Sequence, residues 1–387
     1  MKKTILFVSY GLGIGGIEKC LVNLLNRIPL DKYSVDVLLM NPEYDLKSQI
    51  KPGVNFLNTF DYVMNTTDTI PYIKNNGGYL RNLGTLIRYI IFRILNKYYK
   101  NGSLVFKPIK NNYNYAIAYS HDCYSMCYVV DKVNANKKFL FYHDGVYKQS
   151  DYQKLIDQKY FPKFDKIVAV SKCTKEMLVN MFPNINNQVI VLYNIIYPSE
   201  IINRTNSLKL SKKDDTFYIT TVGRLVEQKQ PVKAVEIAKM LKERGCKFIW
   251  SWVGDGNQRQ IVEELITKYH LVDEFILYGN KNNPYPYFKQ CDLYVQPSLD
   301  EAYCTTTNEA RILGKVIIAT KCSGMDEQIV DGKTGFIVDH DTKSIFNRIM
   351  FFYDNRDELR QFEKNVNNNN LDFSSYFSQY EKELFCD

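Results

Sequence analysis

The sequence predicts an α/β protein built as two doubly wound, parallel-sheet domains. Three observations carry this. Short runs of β-branched and aromatic residues alternate with amphipathic stretches from end to end, the mark of strand–helix–strand units with helices on both sheet faces. The alternation restarts near residue 216, after a polar interval. Each half opens on a strand, a glycine turn and a helix, with GLGIGG at 11–16 and GRLVEQK at 223–229. A chain of 387 residues also exceeds one core, at about 100–200 residues per domain.

The elements follow in order. Residues 4–10 read as a strand and 17–27 as a helix with Leu21, Leu24 and Leu25 on one side. Strands follow at 34–40, 115–119, 138–142, 166–170 and 189–192. The second half gives strands at 217–222, 248–253, 275–278, 293–296 and 316–319, with helices at 231–244, 258–269, 306–313 and 342–353. The interval SEIINRTNSLKLSKKDDT is polar and aperiodic, so it reads as a linker. The expected boundaries are 1–198, a linker at 199–215, 216–365, and a terminal helix at 366–387 packing back across the domains. Doubly wound domains bind ligands at the carboxyl ends of their strands, so two such edges facing each other would form a cleft.

Composition narrows the class. No run approaches about 18 consecutive apolar residues, so no membrane-spanning helix is expected. The opening MKKTILFVSYGLGIGG imitates a signal peptide, but its apolar run is short and ends in glycines, which favours a first strand. Nine cysteines without a C-x-x-C pair read as reduced thiols and a cytoplasmic protein. Four scattered histidines offer no metal cluster. The net charge of +8 divides into +11 over residues 1–198 and −3 over the remainder. An anionic partner on the first half explains this; so does a Lys- and Asn-rich genome. No nucleic-acid partner is expected.

The chemistry-bearing residues gather in the second half. Gly223, Arg224 and Lys229 follow a strand: glycine admits close backbone approach, and the two cations suit a diphosphate. Gly254 and Gly279 end further strands. In DEAYCTTTNEARILGK, Glu301 and Glu309 lie eight apart, about 80° on a helical wheel. A loop position for Glu301 and a helical one for Glu309 fits better, with the helix starting near Thr305 and Thr306. Its first N–H groups would suit a phosphate.

This ordered set resembles the C-terminal domain of the retaining glycosyltransferases of family 4 (glycosyl transferases group 1), which have the two-domain GT-B fold. The carrying segments are GRLVEQK, VGDGNQR at 253–259, LYGN at 277–280 and the stretch 297–338. A looser likeness rests on GGIEK at 15–19, HDG at 143–145 and VAVSKCTKE at 168–176. The resemblance implies a nucleoside diphosphate-sugar donor, UDP-linked, and a glycan or lipid-linked glycan acceptor in capsular or other surface polysaccharide synthesis. It implies that Arg224 and Lys229 grip the diphosphate, Glu309 the ribose diol and Glu301 the donor-sugar hydroxyls. It places the amides of Thr305 and Thr306 on the phosphate and Gly279 near the base. It sets Gly15 and Gly16 in the cleft near the phosphates and acceptor, and His143 beside the sugar. Neither a cofactor nor a metal is implied. Retention is expected by same-face attack. The family's E-G-F-G reads Glu301-Ala302-Tyr303-Cys304 here, so the donor sugar does not carry over.

Two other readings compete. Gly11, Gly13 and Gly16 fit G-x-G-x-x-G, which a nicotinamide or flavin oxidoreductase would use. No acid suited to a ribose diol follows the second strand, and Glu43 is a poor substitute. A catalytically inactive GT-B-like binding protein is the other. Asp339-His340-Asp341 spells a D-x-D metal signature, but Asp341 is placed as an N-cap. His121 ends a strand, where it either faces the cleft or lies at the surface, and the surface reading is favoured. The basic, apolar segment 81–100 has two readings. It is either a helix on the inner face of an anionic membrane or a helix packed on the first sheet.

Overall fold

The structure, a computed structural model, describes residues 2–63, 69–99, 105–208, 212–369, 373 and 375–386. It divides into two compact units, Met1–Ile196 with Ser374–Asp387, and Tyr197–Phe373.

The first unit holds a seven-stranded sheet. Its strands are β1 (Lys3–Ser9), β2 (Tyr33–Leu39), β3 (Asn55–Phe56), β4 (Asn112–Ala118), β5 (Asn134–Tyr142), β6 (Lys166–Ala169) and β7 (Val189–Val191). They are all parallel, in the order β3-β2-β1-β4-β5-β6-β7. The N-terminal run is therefore a central strand. Ile5, Leu6, Phe7 and Val8 are all fully buried, as a strand covered on both faces requires.

The second unit holds a six-stranded parallel sheet. Its strands are β8 (Phe217–Val222), β9 (Phe248–Val253), β10 (Phe275–Gly279), β11 (Leu293–Gln296), β12 (Val316–Thr320) and β13 (Gly335–Val338). The order is β10-β9-β8-β11-β12-β13. Trp250 and Trp252 fill its core. Their indole N–H groups donate to Thr221 Oγ1 at 3.1 Å and to the Gly223 carbonyl at 2.9 Å, which satisfies both buried donors. Strand order reverses between β1 and β4 in one sheet and between β8 and β11 in the other, the points where doubly wound sheets open a crevice.

Three boundaries differ from the sequence reading. The 199–215 linker begins as a helix, Pro198–Arg204. Its Ile201 is buried, and its Arg204 donates to the Asn282 carbonyl at 2.6 Å and covers the Tyr285 ring. Only these tertiary partners make a polar, aperiodic stretch helical. The helix Arg356–Asn368 runs through the expected 365/366 boundary, because Leu359, Phe362 and Val366 bury one face despite the asparagines. The terminal segment forms a helix, Ser375–Tyr380, and a wide turn, Glu381–Phe385. It is tied into the first unit by Tyr380 Oη to the Tyr193 carbonyl at 3.1 Å, Lys166 to Glu383 at 2.8 Å and Tyr115 Oη to the Phe385 carbonyl at 2.9 Å.

Candidate functional site

In the second unit, β8 ends at Val222 and the chain turns through Gly223 and Arg224. This turn is clamped to the end of β9: Gly223 N donates to the Val253 carbonyl and Leu225 N to the Asp255 carbonyl, both at 3.0 Å. Gly254 sits at φ +142°, and a Cβ there would collide with the Gly223 carbonyl oxygen. Its N–H donates to the carbonyl of Gly279, which adopts φ +68°. Three strand ends thus meet through bare backbone, which only glycines permit.

A short 3₁₀ turn, Glu227–Lys229, follows. Gln230 then takes the left-handed conformation at φ +54° before Pro231 opens the next helix. The turn is fastened to the loop after β11 by Leu299 N to the Gln228 carbonyl and Gln228 Nε2 to the Asp300 carbonyl, at 2.8 and 2.9 Å. This fastening brings Lys229 Nζ onto Glu301 Oε1 as an ion pair between side chains 16% and 9% exposed. Burial alone would depress the lysine, but Glu301 overcomes it and holds the ammonium above the ordinary lysine range. The same carboxylate oxygen accepts from Ser298 Oγ at 2.7 Å and Gln296 Nε2 at 3.1 Å. The Arg224 side chain is exposed and makes no hydrogen bond or ion pair with a described residue, while lying close enough to Lys229 to repel its charge.

The loop feeds the helix Thr305–Ile312, which no side chain caps. Its first N–H groups lie beyond intrahelical pairing. The buried Gln328 amide fixes its entry, accepting from Cys304 N at 3.1 Å and donating to the Cys304 carbonyl at 2.7 Å. Glu309 is 3% exposed and accepts from Tyr285 Oη at 3.3 Å. Arg224, Lys229, Glu301, Thr305, Thr306 and Glu309 therefore belong to the strand ends and loops at the β8/β11 reversal. Gln296, Ser298, Gln328 and Tyr285 support them and were missed in the sequence. Gln296 and Ser298 read there as a strand tail, and nothing local marks Gln328 or Tyr285.

The first unit places Gly15 as the N-cap and Gly16 as the first residue of the helix Gly16–Arg27. His143 follows β5. Its Nε2 donates to the Tyr119 carbonyl at 3.0 Å, which leaves Nδ1 as an acceptor. Burial pushes this ring down to about 4, so it is neutral at pH 7. His121, expected at the surface, is instead buried, with a side chain 4% exposed. Its Nε2 lies 3.1 Å from Asp157 Oδ2 and its Nδ1 3.8 Å from Asp144 Oδ2. Burial opposes its charge, but the two carboxylates prevail and raise it to about 9. Asp157, fully buried, also accepts from Tyr147 Oη at 2.7 Å and Gln153 Nε2 at 2.8 Å.

The decoys resolve locally. A Cβ on Gly11 or Gly13 would lie 3.2 or 3.0 Å from the Glu43 carboxylate, so an anion lies beside the glycine loop and opposes a pyrophosphate there. Asp341 caps the helix Thr342–Asp354 by accepting from Ser344 N at 2.8 Å.

Residues 203–369 match the family model of the glycosyl transferases group 1. A glycosyltransferase of Methanocaldococcus jannaschii is 27% identical over 51% of this chain, and the match spans only about half, 52%, of that relative's length. The N-acetylgalactosamine-N,N'-diacetylbacillosaminyl-diphospho-undecaprenol 4-alpha-N-acetylgalactosaminyltransferase of Campylobacter jejuni is 26% identical, covering 94% of this chain and 93% of its own. The Anabaena HepE structure, solved in complex with UDP, superposes with a TM-score of 0.70 at 16% identity over 100% of both chains. Over residues 203–369 the chain is similar to the glycosyl transferases group 1, and its two parallel-sheet units have the GT-B fold.

Proposed function

We propose that this chain is a glycosyltransferase that moves a sugar from a UDP-sugar to a glycan or lipid-linked glycan acceptor in surface polysaccharide assembly, retaining the anomeric configuration. The observation that carries the reading is the grouping of two cations and two buried carboxylates at the β8/β11 reversal, with Arg224 free to take a ligand. Arg224 forks onto the diphosphate, and Lys229 shifts part of its charge from Glu301 to it. The amides of Thr305 and Thr306 meet a phosphate oxygen. Glu309 takes the ribose diol, Gly279 borders the base, and Glu301 holds donor-sugar hydroxyls. In the first unit, His143 is the candidate for the sugar and the Gly15–Gly16 turn for the phosphates and acceptor. UDP in HepE supports the nucleotide, and the diphospho-undecaprenol substrate named for the Campylobacter relative supports a lipid-linked acceptor.

The bond from the anomeric carbon to the phosphate oxygen breaks, and an acceptor oxygen attacks on the same face. The acceptor proton passes to the departing phosphate. The negative charge that develops on it is met by fixed cations and N–H dipoles, so this route needs no metal and no covalent nucleophile.

The test is donor hydrolysis across UDP-, GDP- and dTDP-sugars, reading released nucleotide. Release from one UDP-sugar, lost in Glu309→Ala and Arg224→Ala, is expected. Binding of NAD(P) with no binding of any nucleoside diphosphate would overturn the reading. A glycosyl-enzyme adduct in intact mass spectra would replace the same-face route.

A further inference from the structure

The helix Leu83–Tyr99 belongs to the first unit and has two apolar faces. One packs inward: Phe92 is 3% exposed and stacks on Phe106 at 5.9 Å, and Arg88 Nε donates to the Val105 carbonyl at 3.0 Å. The other faces solvent. Leu83, Ile87, Ile90, Ile91 and Ile94 are each at least 40% exposed. At roughly 100° per residue they share an arc of about 100°. Leu80, at 92%, extends the stripe. Seven of the eighteen large apolar side chains exposed among the described residues fall between 79 and 94. A contiguous exposed stripe of this kind marks an interaction surface.

Charge identifies the partner. Residues 69–121 contain eight Lys and Arg and no Asp or Glu. Lys74, Arg81 and Arg93 are exposed around the stripe; Lys100 lies outside the described residues and so does the side chain of Lys97. A second copy of the chain would set this cationic segment against itself. A protein partner would have to supply both an apolar groove and a ring of acids. An anionic bilayer offers acyl chains and phosphates in one surface. At 17 residues the helix is about 25 Å long, and no helix among the described residues is long and apolar enough to cross a membrane. It therefore lies in the plane.

We propose that Leu83–Tyr99 is an interfacial helix that seats the first unit on an anionic lipid bilayer, with its isoleucine stripe at the headgroup–acyl boundary. The inference goes beyond the transfer reaction, and its test needs neither donor nor acceptor.

The full chain is floated on a density gradient with phosphatidylcholine vesicles, with or without about 30% phosphatidylglycerol. Binding to the anionic vesicles is expected to exceed binding to the neutral ones by about tenfold or more, falling with salt. The triple variant Ile87→Glu/Ile91→Glu/Ile94→Glu should lose at least about tenfold of that binding, with an unchanged melting midpoint because the side chains are exposed. Arg81→Glu/Arg93→Glu should erase the preference for anionic lipid. Absence of flotation, equal flotation on both lipids, or retention by the isoleucine variant overturns the proposal. So does a wild-type dimer that the isoleucine variant splits while neither form floats. An inactive protein that floats leaves the proposal standing, whereas an active one that does not float sinks it.

Discussion

The two sheets reverse their strand order at the same relative place, between the first and fourth strands of each. Their crevices nonetheless carry different chemistry. At β8/β11, a lysine pairs with a carboxylate and an exposed arginine stands beside them. At β1/β4 the glycine loop has Glu43 against it, and the nearby charge is a histidinium held between two aspartates. Topology opens a crevice in both; the side chains at the strand ends decide what it takes. A phosphate suits the second and is repelled by Glu43 in the first.

The largest test of that contrast is Lys229→Ala. Removing one fixed cation from a developing phosphate charge should lower kcat/KM by about 10²–10³-fold, measured as acceptor-dependent nucleotide release. The fold should tolerate it, since Glu301 keeps Ser298 and Gln296 as donors. Glu301→Ala should differ, because it strands a buried ammonium and destabilises by about 3 kcal/mol. Equal urea midpoints for the two variants would break the distinction.

Within the first unit the histidines give the next effect. His121 is raised to about 9 in the fold, so its stabilisation is complete below its ordinary 6.5 and is lost as pH climbs through 9. That amounts to about 3 kcal/mol. His143 is depressed to about 4, so its contribution is complete above 6.5 and is lost as pH falls through 4. That likewise amounts to about 3 kcal/mol. Stability should peak near pH 6.5. His121→Gln should flatten the alkaline limb and His143→Gln the acid limb in urea unfolding followed against pH. The reverse assignment would refute the charge states of both rings.

The same contrast explains what was legible in the sequence. The parallel sheets were, because strands such as SVDVLLM buried on both faces read as continuous apolar runs. So was the loop-then-helix placement of Glu301 and Glu309, since a wheel angle forbids one helix face for both. The Lys229–Glu301 pair was not, because 72 residues separate the partners and only the Gln228 clamp joins them. Gln328 and Tyr285 act through contacts that no local pattern announces. His121 read as surface because a histidine at a strand end is ordinary; Asp157, 36 positions away, buries it. The helices Pro198–Arg204 and Arg356–Asn368 were hidden by polar composition that tertiary packing overrides.

Glycines give the smaller effects. Gly254→Ala forces a methyl into a φ of +142° and against the Gly223 carbonyl. Backbone cannot rotate away, so about 2 kcal/mol should be lost, and the displaced 223–225 turn should raise the donor KM. Gly15→Ala makes the opposite case. Gly15 is extended at φ −155°, which any residue adopts. The nearest atoms to its new methyl would be those of the Glu18 carboxylate, the far end of a flexible side chain. The loss should stay within about 0.5–1 kcal/mol, the usual penalty for alanine at an N-cap. A fall in kcat/KM beyond tenfold in a protein so little destabilised would then report ligand approaching the bare backbone at Gly15. Turnover within twofold of wild type would remove Gly15 from the site and leave phosphate recognition to the second unit.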